Sequence, residues 1–191
     1  MDLKLLNEYY NRFKYGEDNF HNLMQFRVRE ILLISTLYDA YTFEQESRLS
    51  QQLVGEYHEL KLTTIPRITN VPTAADAMEK LKEQKFDLII TTMRIAGLSA
   101  FELSRRIRSQ YKDVPILLLL TNKADLSIVS AHESSYELFD NIFLWNGDSK
   151  LILAMIKYIE DKMNVNYDTM NGLVRVILLV EDSIPFYSLY L

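Results

Sequence analysis

Residues 87–97 read DLIITTMRIAG. The apolar run Leu88, Ile89, Ile90 passes into two threonines and then a polar loop that ends on Gly97. An unbroken apolar strand, as opposed to an alternating one, suits a parallel sheet covered on both faces. The same texture recurs along the chain. VREILLIS at 28–35 contributes Ile31 to Ile34, RITNV at 67–71 gives a shorter strand, PILLLL spans 115–120 and NIFLW spans 141–145. Helical periodicity fills the intervals. Residues 39–60 are predicted helical, Thr73 and Asp76 open a helix that buries Ala74, Ala77, Met78 and Leu81, and Ser99 with Glu102 opens another that buries Phe101, Leu103 and Ile107. In both openings a hydroxyl is placed to accept from amides that the first helical turn leaves unpaired. A weakly patterned polar stretch covers 125–138, and Ile152, Met155, Ile156, Ile159 and Met163 form one stripe of a last helix.

Strand and helix thus alternate five times, which predicts an α/β fold with a five-stranded parallel sheet between helices. Right-handed crossovers leave few topologies, and the expected one is flavodoxin-like, with strand order 2-1-3-4-5. Any ligand or catalytic group then belongs at the carboxyl ends of strands one, three and four, where the loops diverge. The threonines of the opening stretch sit at that edge.

Composition narrows the function. The 191 residues are 48% hydrophobic and 25% charged, enough for one full core and some appendages. Acidic residues outnumber basic ones by 26 to 21, and no basic block is present to follow a phosphate backbone or an anionic membrane, so neither nucleic acid nor membrane is an expected partner. No apolar run reaches the roughly 18 residues of a spanning helix. The chain has no cysteine, which removes disulfides, thiolate metal sites and cysteine nucleophiles, and a reducing, cytoplasmic location is expected. His21, His58 and His132 lack the spacing of a metal site, so no metal and no cofactor is expected. STLYDA after strand one lacks the glycine spacing of a phosphate cradle.

Two features set the domain plan. Residues 1–27 place Leu3, Leu6, Tyr10 and Phe13, then Phe20, Leu23 and Met24, at helical spacing around Gly16, which predicts an N-terminal helical extension. In the tail, VRVILLVED at 174–182 repeats VREILLIST at 28–36, with Val, Arg, Ile, Leu and Leu matching at an offset of 146. That is about one domain length. The plan is therefore an extension over 1–27, a domain over 28–163, a linker over 164–173, and the truncated start of a second, related domain over 174–191. Ser35 and Thr36 in the first copy correspond to Glu181 and Asp182 in the second. A VILLV strand that begins an unfinished domain exposes apolar side chains and unpaired amides, so a homodimer is expected.

ILLVEDS at 177–183 resembles the opening of a response-regulator receiver (CheY-like) domain, in which two acids after strand one hold magnesium. Residues 28–163 resemble the same family: DLIITTMRIAG resembles the segment in which an aspartate ends strand three and a glycine follows five positions later. The resemblance implies that Thr92 stands at the phosphorylated position, that Thr121 is the switch hydroxyl after strand four, displaced by one place, and that Asn146 and Gly147 replace a lysine and a proline after strand five. Ser35, Thr36, Thr92, Thr121 and Asn146 then form a degenerate phosphoacceptor pocket. Phosphoryl transfer needs an ionised nucleophile, a cation held by carboxylates and a balancing positive charge, and these side chains supply none of them. The domain is expected to be a pseudo-receiver, an interaction module with no catalytic residue of its own. Arg94 can fill the emptied pocket as a fixed cation paired with Asp39 or Asp125.

The wider chain, through LMQFRVREILLISTLYDAYTFEQESRL and WNGDSK, is similar to the N-terminal region of bacterial phosphoenolpyruvate synthase or pyruvate, phosphate dikinase-type proteins. That likeness implies a second receiver-like domain and downstream enzyme domains as partners in a longer chain. The alternative is a flavodoxin-like domain that binds a small molecule, or keeps residual phosphotransfer, at the Thr92 edge. Asp87 begins its strand at the far end of the sheet and is expected to be a turn or cap residue, whereas Trp145 opens a loop and is a candidate for a binding face.

Overall fold

The computed structural model describes residues 23–47, 49–59, 65–131 and 135–191. The chain divides into two units, a larger one of residues 28–157 and 181–191 and a smaller one whose described residues are 23–27 and 158–180. The predicted N-terminal helices lie outside the described residues up to position 22.

The larger unit is built on β1 (Glu30–Ile34), β2 (Arg67–Val71), β3 (Leu88–Thr92), β4 (Ile116–Leu120) and β5 (Asn141–Leu144). All pairings are parallel and the order is β2-β1-β3-β4-β5, as the alternation predicts. Every residue of β3 and β4 is buried, because helices cover both faces. β2 is an edge and buries only Val71. The connections are α1 (Leu37–Ser47) and α2 (Leu49–Glu59), α3 (Ala74–Glu83), α4 (Ala100–Gln110), then α5 (Asp125–Ala131) and α6 (Ser135–Leu138).

Local chemistry sets these boundaries. Thr73 Oγ1 accepts from Asp76 N at 3.0 Å, and Ser99 and Glu102 form the full reciprocal capping box ahead of α4. That box holds the Glu102 carboxyl below its ordinary range, chiefly through the Ser99 backbone amide and then its hydroxyl. Phe101, Leu103 and Ile107 lie on the buried face of α4, each such burial contributing about 1.5–3 kcal/mol, and Phe101 meets Phe139 edge-on at 5.7 Å. At the amino edge of the sheet Asp87 Oδ2 accepts from the amides of Arg29 and Glu30, which is the capping role its position suggested. Arg108 closes the same end, donating to the carbonyls of Val114 and Leu138 and pairing with Asp140, which also accepts from Ile116 N.

The tail departs from expectation. Residues 164–172, read as a linker, continue α7 (Lys150–Gly172). Its polar composition is a weak helix signal, and tertiary bonds within the smaller unit compensate. Asn164 donates to Phe26 O at 2.7 Å and accepts from Phe26 N at 2.8 Å, while Asp168 accepts from Met24 N at 3.1 Å. Leu173, with φ of 52°, ends the helix in the left-handed region. Residues 174–180, read as a strand, have no regular secondary structure, because a strand exists only against a ladder partner.

A last helix, α8 (Ile184–Tyr190), follows in the larger unit and packs on β5. Leu144 N donates to Ser188 Oγ at 2.9 Å, and the Phe143 and Tyr187 rings lie 5.8 Å apart. An edge strand presents unpaired amides that invite intermolecular pairing, and α8 covers this one.

Candidate functional site

Parallel register brings the strand ends to one edge. Ile34 is level with Val71 and Thr91, Thr92 with Leu119, and Leu120 with Leu144. The loops that leave this edge enclose a cavity of about 430 Å³, lined by Thr36, Tyr38, Asp39, Arg94, Thr121 and Trp145 together with Thr42, Phe43 and Asn122.

The loop after β3 is shaped by Gly97, whose φ of +99° lies in the region that side chains avoid, while a Cβ there would meet nothing within 4 Å. Backbone conformation, and not crowding, therefore demands the glycine. The loop folds back so that Ala96 O accepts from Ala74 N at 3.1 Å.

The structure sorts the five pocket residues into three groups. Thr36 and Thr121 line the cavity. Thr36 is also the cap of α1, its Oγ1 accepting from Asp39 N at 3.0 Å. Ser35 and Thr92 are each 0% exposed. Ser35 Oγ donates to Asn70 Oδ1 at 3.1 Å, toward β2. Thr92 Oγ1 donates to Arg94 O at 3.1 Å and is 3.5 Å from Ile34 O, so its single proton is held between two main-chain carbonyls. Asn146 is exposed and its Oδ1 accepts from Asp148 N at 3.0 Å, an Asx turn within its own loop. The set is thus dispersed: Thr92 is buried and does not line the cavity, and Asn146 belongs to the Gly147 turn.

Arg94 reaches Asp125, with Nη2 3.4 Å from Oδ1. The Asp125 side chain is 2% exposed and that of Arg94 is 70% exposed. Of the two carboxylates proposed as partners, Asp125 at the start of α5 is the one paired, while Asp39 lies on the cavity wall. Asp125 Oδ2 and Trp145 Nε1 are both buried without a hydrogen-bond partner. Trp145 N donates to Leu120 O, and its indole meets Phe43 edge-on at 4.8 Å. Thr42 and Phe43 were not read as site residues; in α1, which starts at Leu37, they share one helical face with Asp39.

Among the described residues no three His, Asp or Glu side chains converge on a point where a cation could sit. The cavity offers the hydroxyls of Thr36 and Thr121 and the Asp39 carboxylate, with Asp125 engaged by Arg94, which is a poorer set of carboxylate oxygens than a magnesium ion is ordinarily given.

Both the sequence and the fold of this chain are similar to those of receiver domains. Residues 45–139 match the response regulator receiver domain family. The matched stretch contains Thr92, Arg94, Thr121 and Asp125 and leaves out β1 and β5 together with Ser35, Thr36 and Asn146, which follow those strands. Among curated proteins, the transcriptional regulatory protein AfsQ1 of Streptomyces coelicolor is 34% identical over 68 residues, which is 36% of this chain and 30% of that protein. The chain thus spans under a third of this relative's length. Among solved structures, the signal receiver domain of an HD domain-containing protein from Pseudomonas fluorescens aligns with a TM-score of 0.54 at 17% identity, over 75% of this chain and 94% of that one. The receiver domain of a sensor histidine kinase from Pseudomonas aeruginosa, solved with magnesium in its active site cleft, aligns with a TM-score of 0.54 at 18% identity, over 70% of this chain and 98% of that one. At such identities the structural likeness is one of fold.

Proposed function

We propose that this receiver domain is a pseudo-receiver, a non-phosphorylatable module that works by protein–protein contact. One observation carries the reading: the residue at the phosphoacceptor position, Thr92, is fully buried with its hydroxyl donated to main-chain carbonyls. An alkyl hydroxyl with no adjacent base is a poor nucleophile, and one with no solvent access cannot meet a phosphodonor. Arg94, paired with Asp125, supplies a fixed positive charge beside the crevice. The exposed Leu37, Tyr38 and Tyr41 at the start of α1 provide an apolar, aromatic surface next to the cavity mouth, of the composition found in interface cores. The proposed setting is cytoplasmic, within a longer chain that carries a second receiver-like domain and phosphotransfer enzyme domains of the phosphoenolpyruvate synthase or pyruvate, phosphate dikinase type; the internal repeat and the resemblance around WNGDSK support it.

A second reading has one observation in its favour. The buried, unpartnered indole N–H of Trp145 beside the cavity suits a small ligand with an acceptor group. Residual phosphotransfer through Thr92 has no such support.

Trp145 is the only tryptophan in the chain and lines the cavity, so its fluorescence reports on the crevice. Titration with Mg²⁺ at neutral pH is expected to leave its emission unchanged. A saturable change that Ca²⁺ and Mn²⁺ reproduce, and that Asp39→Asn removes, would show that the crevice holds a cation and would end the pseudo-receiver reading.

A further inference from the structure

The crevice at the carboxyl edge carries fixed charges of both signs that are not paired with each other. The Arg94 side chain is 70% exposed and turns its Nη2 to Asp125 Oδ1, while the Asp125 side chain, 2% exposed, is out of a ligand's reach. A guanidinium presents several N–H donors in a planar fork, so one contact through Nη2 leaves others for a second acceptor. Asp39 lines the same cavity, half-buried, and among the described residues it has no ion-pair partner. Asn122, also on the wall, has its Oδ1 occupied by Ala124 N at 2.8 Å, so the end of that side chain left for a ligand is the amide nitrogen, a donor. Aromatic rings complete the lining. Tyr38 is 76% exposed, and the half-buried indole of Trp145 is held edge-on against Phe43. At about 430 Å³ the cavity has the size of those that take small organic molecules.

We propose that this crevice binds a small zwitterion with an apolar side chain, a free amino acid of the phenylalanine or leucine kind. The inference rests on the second reading above, the crevice as a small-molecule site, and adds the charge pattern of the ligand. The ligand's carboxylate lies toward Arg94 and the Asn122 amide, its ammonium toward Asp39, and its side chain against the rings of Trp145 and Tyr38. Charge separates this class from its neighbours. A simple anion, phosphate included, pairs with Arg94 and is repelled by Asp39, and a simple amine meets the reverse. A neutral molecule takes water from both charged groups without returning an opposite charge to either. A ligand that carries both charges avoids each of these costs. The contact with Asp125 then serves to orient the guanidinium that receives the carboxylate.

Titration of the full chain, followed by Trp145 emission and by calorimetry, tests this with L-phenylalanine and L-leucine. Three relatives of phenylalanine serve as controls: its amide, which lacks the carboxylate, its N-acetyl acid, which lacks the ammonium, and the neutral N-acetyl amide. The two amino acids are expected to give saturable changes, and each relative to bind about tenfold more weakly or worse, the scale of one lost charge-assisted hydrogen bond. Asp39→Asn keeps the shape of the side chain and removes its charge. It is expected to weaken binding of the amino acids by about tenfold and to abolish their advantage over the N-acetyl acid, with an unchanged melting temperature as the check on folding. Equal binding of all four forms of phenylalanine, or binding of the neutral form alone, would overturn the charge assignment and leave a small-molecule crevice standing. Discrimination that survives Asp39→Asn would overturn it too, by placing the selectivity elsewhere. Silence from every compound would overturn the proposal together with the reading on which it rests.

Discussion

Thr92→Asp is expected to destabilise the larger unit by about 3–5 kcal/mol, the usual cost of a buried charge without its partner. The substitution introduces the residue type that the resemblance to receiver domains implies for this position, and for that reason its effect discriminates between an intact crevice and a dismantled one. The Thr92 side chain is enclosed, and its oxygen faces the carbonyls of Ile34 and Arg94. A hydroxyl suits these acceptors because it donates. A carboxylate would turn its own lone pairs on them, and a protonated acid would require an upward pKa shift that itself costs free energy at neutral pH. Arg94, the cation of the following loop, is already turned to Asp125. Urea unfolding followed by Trp145 emission measures the loss, and a variant within 1 kcal/mol of the parent would mean that the crevice still accommodates an ionised acid.

Phe143→Ala is expected to cost about 3–5 kcal/mol, the range for deleting a large ring from a packed interior. Phe143 is 0% exposed on β5, an edge strand whose outer side is covered by α8, and its ring faces Tyr187. Loss of the ring leaves a cavity and weakens the seat of α8, so Leu144 N loses Ser188 Oγ as a steady acceptor. Trp145 lies two positions along the chain and reports the change: its emission is expected to shift to the red in the folded variant as well as at unfolding. Tyr187→Ala should reproduce the fluorescence shift at a smaller loss of stability, because Tyr187 is half-buried.

The sheet was legible in the sequence because its signals are local. The runs Ile31 to Ile34 and Ile116 to Leu120 need no knowledge of distant residues to be recognised as doubly covered strands, and Thr73 with Asp76 or Ser99 with Glu102 mark helix starts by chemistry within one turn. The placing of Thr92 came from the resemblance, through the spacing to Gly97, whose φ is +99°. The tail was not legible for the opposite reason. Helix α7 extends to Gly172 on the strength of Asn164 and Asp168, which bind main-chain groups of Phe26 and Met24, 138 and 144 positions away in sequence. The strand reading of 174–180 recognised a correct propensity without the partner that would express it. In the crevice, residue types were readable and their accessibility was not: Ser35 and Thr92 share their chemistry with Thr36 and Thr121, yet only the latter two line the cavity. The choice of Asp125 over Asp39 as the partner of Arg94 likewise depends on where α5 begins, on the turn in which Asp125 N donates to Asn122 O.

The central claim concerns reactivity at Thr92, and intact-mass measurement after incubation with Mg²⁺ and acetyl phosphate tests it most directly. The mass is predicted to remain that of the unmodified chain. A gain of one phosphoryl group that is lost in Thr92→Ala would contradict it.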